Sequence, residues 1–142
     1  MENAGISAAA MASAERWLNS ARINAKAGSY DTAIYSLEMS VEIALKALLL
    51  ALGTDVPKSH AIGDLVLESV QGNRRLPKEL VENAGSIVRL FNSLVSLRPV
   101  SGYAFETKSG LKELRARYER HVGEAENAVE LCGKAVSSIL GA

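Results

Sequence analysis

Apolar residues recur at spacings of three and four through almost the whole chain, and nowhere do they alternate over more than a few positions. That period is helical, so the expected class is all-α. From Ser7 to Ala27 the apolar stripe is Ala10, Ala14, Trp17, Leu18, Ala21 and Ala25, closed by Gly28. Ser29 suits the cap of a second helix that extends to about Leu52, before Gly53. Beyond Val41 this helix is apolar round most of its circumference, which predicts the central, most buried element. Its polar positions Glu38, Glu42 and Lys46 share one face. Left in solvent, a Glu-to-Lys pair at that spacing contributes roughly 0.2–0.5 kcal/mol.

A short third helix is predicted from Ser59 or His60 to about Val70, followed by a basic turn, Gln71 to Leu76. Pro77 opens a fourth helix, where its missing N–H costs nothing, and Leu80, Ile87, Leu90, Phe91, Leu94 and Leu97 face inward. Arg98-Pro99 is expected to stop it, because a residue before proline is pushed towards extended geometry. The stretch from Pro99 to Glu106 is the least regular in the chain. The last helix is predicted from near Thr107 to Leu140. Its apolar positions Leu111, Leu114, Tyr118, Val122, Ala125, Val129, Cys132, Val136 and Ile139 recur every ~3.5 residues, a heptad seam. Such a seam packs a bundle within the chain, or serves in part as a dimer interface.

With 142 residues, 48% of them hydrophobic, the chain has material for one core, and a single domain over 1–142 is expected. Sixteen basic and sixteen acidic residues cancel, which excludes the positive surface of a non-specific duplex DNA binder. Cys132 is the sole cysteine, and His60 and His121 are the only histidines, so neither a disulfide nor a metal cage is expected. The densest apolar run, Ala44 to Leu52, is broken by Lys46 and is too short to span a membrane. The start lacks the basic residues of a secretory signal, and a soluble cytoplasmic protein is expected. No phosphate loop, nucleophile elbow or paired-carboxylate motif occurs, and no cofactor is implied.

Three stretches in order carry a resemblance: Gly28-Ser29-Tyr30-Asp31-Thr32-Ala33, then Glu42-Ile43-Ala44-Leu45-Lys46-Ala47-Leu48 with Gly53 beyond it, then Lys58-Ser59-His60. Together they resemble the HEPN domain over about residues 28–62. The resemblance implies a four- to five-helix up-and-down bundle with a long last helix, commonly a homodimer. It also implies binding of nucleotides or RNA, and partnership with a minimal nucleotidyltransferase or a place in a two-protein toxin–antitoxin pair. One branch of the family consists of metal-independent endoribonucleases whose signature is Arg, four to six residues, then His. That site lies at the connection into the last helix, and two copies meet across the dimer.

At that position this chain reads Arg98-Pro99-Val100-Ser101-Gly102-Tyr103. Arg suits the phosphate charge, but Tyr, titrating at about 10, is a poor general base. A non-catalytic binding or partner role is therefore expected. The alternatives are a ribonuclease with a drifted site, using Arg98 with Tyr103 or a repositioned His121, and a purely structural adaptor. Arg115 and His121 match the signature by counting, but on one unbroken helix they point about 120° apart. The set Arg115, Arg117, Arg120 and His121 is expected to be a solvated face. Arg98, Tyr103, Lys58, His60, Glu42 and Lys46 are the candidate ligand-binding residues. Arg74, Arg75 and Lys78 form a basic cluster expected to be solvated. Alanine at Arg98 is expected to weaken phosphate binding and spare the fold.

Overall fold

The computed structural model describes residues 2–59 and 61–141. Among these residues six helices follow one another: α1 Glu2–Lys26, α2 Tyr30–Ala51, α3 Gly63–Val70, α4 Lys78–Ser96, the one-turn α5 Arg98–Gly102, and α6 Gly110–Gly141. A 3₁₀ turn, Ala104–Glu106, lies between α5 and α6, and no strand occurs among the described residues. The all-α reading holds.

α2 is the central helix, as its composition requires, and packs on α1, α3, α4, α5 and α6. Ala14 and Ala21 of α1 are fully buried, and such small side chains let α1 lie close along α2. Ser7 reinforces that contact by donating to the Ala47 carbonyl at 2.7 Å. Glycines end both helices for a shared reason. Gly28 and Gly53 take φ of 80° and 77°, open to glycine at no steric cost. At each end the next N–H reaches back to the carbonyl five residues earlier, Ser29 to Asn24 and Thr54 to Leu49. These are Schellman closures, and they satisfy carbonyls the helix cannot.

Four local expectations need correction. Ser29 stands at the start of α2, but its hydroxyl makes no capping bond; the nearby Asp31 carboxylate instead accepts from the Thr32 N–H at 2.9 Å. α3 starts at Gly63, later than Ser59 or His60, and Ser59 Oγ accepts from the Ala61 N–H within the connecting turn. The chain does not turn extended at Arg98-Pro99. Leu97 stays helical (φ −87°, ψ −6°) and Arg98 opens α5, with Pro99 in a first turn that needs no N–H from it. In α6, Leu111 is exposed, whereas His121, Ala128, Leu131 and Ala135 join the buried face. A helix touching α1, α2 and α4 at once must bury a wider stripe than a two-partner seam.

Cys132 lies on that buried face, where desolvation pushes its thiol up to about 12. Because the thiolate is the reactive form, iodoacetamide at pH 8 should leave Cys132 unmodified in the folded protein and label it fully in denaturant. Mass spectrometry reads both states, and rapid labelling of native protein would contradict this packing. No helix among the described residues is long and apolar enough to cross a membrane.

Candidate functional site

α2 carries Tyr35, Glu38, Met39 and Glu42 towards α5, because spacings of three and four keep these residues on neighbouring lines of one helix. α5 supplies Arg98. Its Nε donates to Oε1 of Glu38, a side chain with no exposed surface. Arg98 Nη2 lies 3.7 Å from Glu42 Oε1 and 3.4 Å from Met39 Sδ. Glu42 in turn accepts from Lys46 Nζ at 3.1 Å. The result is a row of alternating charge, Lys46, Glu42, Arg98 and Glu38, closed between two helices whose paired residues lie 60 positions apart at Glu38 and Arg98. The hydrogen bond to Glu38 raises the Arg98 pKa, burial opposes that, and the charges of Glu38 and Glu42 add to it.

The guanidinium also covers the Tyr35 ring, 5.1 Å from its centroid. Trp17 of α1 holds that ring edge-on at 5.9 Å. Outside the charged row a cleft of about 420 Å³ opens, lined by Asp31, Thr32, Tyr35, Arg98, Ser101 and Gly102. It presents the Arg98 guanidinium, already paired with Glu38 and Glu42, together with the Tyr35 ring, the Thr32 and Ser101 hydroxyls and the Asp31 carboxylate. A family model described as HEPN domain matches residues 8–134.

The chain belongs to the HEPN family. Comparison with curated proteins gives no significant match, and comparison with solved structures gives none either.

Within this HEPN domain the candidate residues separate. Arg98 lies at the connection towards the last helix and is already engaged by Glu38 and Glu42, together with Lys46 through Glu42. Glu42, read from the sequence as half of an intrahelical pair with Lys46, is buried, and so is Glu38. The reason is α5, which covers a face the sequence alone leaves open. Tyr103 is not brought to Arg98. It is 60% exposed and tilts against Phe105, 6.1 Å between centroids, beside a separate depression lined in part by Pro99, Val100 and Gly110.

His121 is not on a solvated face: it is buried in α6, with Nδ1 3.2 Å from Glu124 Oε1. Arg115 is exposed and bonds Glu119 at 2.9 Å, and α6 runs unbroken through Gly123, so Arg115 and His121 do not converge. Lys58 is exposed in the loop before α3, while His60 lies outside the described residues. Arg74, Arg75 and Lys78 are exposed, as expected of a solvated cluster, and Lys78 pairs with Glu82 at 3.6 Å. Sequence reasoning missed Tyr35 as a site residue. Its signal was present: an aromatic three and seven residues before Glu38 and Glu42, at helical spacing on their face.

Proposed function

We propose that this HEPN domain is a non-catalytic binder of a nucleotide or a short RNA segment, taken in the cleft between α2 and α5. In this reading it acts as one component of a two-component, toxin–antitoxin-like pair whose other half is a minimal nucleotidyltransferase. One observation carries the non-catalytic part. Arg98 is tied to buried carboxylates of α2 while Tyr103 points away beside Phe105, so the two signature positions make no proton-transfer pair. The binding part is supported by the guanidinium over Tyr35 with Thr32 and Ser101 beside it. Base stacking on an aromatic ring and a phosphate near Arg are the usual means of holding unpaired nucleotides.

A homodimer belongs to the same proposal. Val100, Tyr103 and Phe105 are exposed together at the connection into α6, and Phe105 is 81% exposed. Apolar surface concentrated in this way suits an interface better than solvent.

The decisive experiment is RNA cleavage by the purified protein in EDTA, with Arg98→Lys, Tyr103→Ala and His121→Ala beside it. No cleavage above a mock purification is expected, together with saturable nucleotide binding that Arg98→Lys weakens. Cleavage abolished by one of the variants would overturn the non-catalytic reading and name the ribonuclease site. Absence of both cleavage and binding would leave a structural adaptor.

A further inference from the structure

Tyr30 and Tyr35 are five residues apart, about 140° round α2, so they face different sides of its first turns. Tyr35 belongs to the cleft with Arg98. On the Tyr30 side a second cleft of about 560 Å³ opens between α1 and α6, lined by Asn19, Arg22, Ile23, Lys26, Tyr30 and Tyr118, among others. Its aromatic part is a pair: the Tyr30 and Tyr118 rings lie 5.9 Å apart, tilted by 59°. A guanidinium covers it here as well, with Arg115 6.0 Å from the Tyr30 centroid. Every aromatic side chain of the protein except Phe91 takes part in one of three ring pairs, and two of those pairs carry an arginine. Tyr118 belongs to the buried core, 7% exposed, whereas Tyr30 is half-buried at the rim of the cleft.

The charges at this second cleft are available. Arg22 bonds Glu126 and Arg115 bonds Glu119, but all four side chains are substantially exposed. Exposed pairs of this kind are weak, so a phosphate can replace either carboxylate. Lys26, exposed in the last turn of α1, makes no ion pair among the described residues. The C-terminal pole of α1 and the N-terminal pole of α2 meet here and offset each other, leaving side-chain cations to hold an anion. Burial raises the Tyr118 pKa, chiefly by desolvation, so its hydroxyl stays a donor. A volume of several hundred Å³ admits one nucleotide-sized ligand.

We propose that this α1–α6 cleft is a second binding site, for a nucleobase carrying a phosphate. The base lies against Tyr30, which Tyr118 backs from the core, and the phosphate takes Lys26 with Arg22. The ligand class rests on the nucleotide-binding reading above, but the place does not depend on Arg98.

The test is titration of the ¹⁵N-labelled full chain with adenosine 5′-monophosphate, with inorganic phosphate as a parallel probe. Saturable shifts are expected at residues 22–30 and 115–118, with phosphate alone much weaker. Lys26→Glu, a surface change that leaves the core untouched, should weaken adenosine monophosphate binding there about tenfold, and Tyr30→Leu by a similar factor. The same charge reversal at Arg74 should leave it unchanged. Shifts confined to residues 31, 35, 98 and 101, or phosphate matching the nucleotide, would overturn this site while leaving the first cleft standing. Shifts confined to 22–30 and 115–118 would uphold this site and sink the Arg98 cleft. No response anywhere would overturn both.

Discussion

Arg98→Ala should destabilise the protein by about 3 kcal/mol, measured by urea unfolding with an unchanged slope. The sequence suggested that this substitution would spare the fold, and the structure says otherwise. Glu38 has no exposed surface and accepts from Arg98 Nε, so removing the guanidinium strips a fully buried carboxylate of a charge partner. Breaking such a pair costs about 3–5 kcal/mol. The lower end applies because the Arg98 side chain is itself 26% exposed. Arg98→Lys should lose less, since it keeps the charge but not the planar fork that spans Glu38 and Glu42. An alanine variant with wild-type stability would mean that Glu38 is satisfied without Arg98. Loss of ligand binding in Arg98→Ala would therefore not identify a ligand contact by itself, and Arg98→Lys is the cleaner probe.

Two glycine-to-alanine changes on α6 should move stability in opposite directions. Helix propensity alone favours alanine at both sites by up to about 1 kcal/mol. At Gly123 a new Cβ would meet nothing within 4 Å, so a gain of about 0.5–1 kcal/mol is expected. At Gly110 the Cβ would stand 2.2 Å from the Ala104 carbonyl oxygen, with the rest of the Ala104 backbone at 3.0–3.1 Å. Backbone cannot swing aside as a side-chain tip can, so the 3₁₀ turn or the start of α6 must shift, at about 1–3 kcal/mol. Amide exchange should quicken over residues 104–114 in Gly110→Ala and not in Gly123→Ala. Equal effects at the two positions would contradict the close approach at residue 104.

Much of the scaffold was legible in the chain. The periodicity located α1, α2, α4 and α6 because each of these helices buries one face over several turns, and a repeated face leaves a repeated residue pattern. The glycines closing α1 and α2 were legible because the positive φ of a Schellman closure restricts the residue type. The ordered motifs from Gly28 to His60 pointed to the HEPN family, and the family match over 8–134 agrees. Short elements were harder. α5 is a single turn of five residues, with too little length for a period, and its proline reads as a stop when taken alone.

The site divides along the same line. That Glu38, Glu42 and Lys46 share a face follows from helix geometry, and the degeneracy of the Arg-to-His signature is written at Tyr103. Whether that face meets water or another helix is a long-range fact: α5 reaches it from 60 residues away, and the two carboxylates end up buried within a row of alternating charge. His121 was misread for the same reason, since a polar residue among arginines looks solvated until the helix packed over it is known. The sequence by itself determined the four long helices, the glycine closures of α1 and α2, and the family, because those are encoded in near-neighbour spacing. Only the tertiary structure decided which charges are buried, that Arg98 and Tyr103 part company, and that aromatic rings pair beneath arginines on two sides of α2. Those outcomes depend on which faces meet, and local spacing does not carry that information.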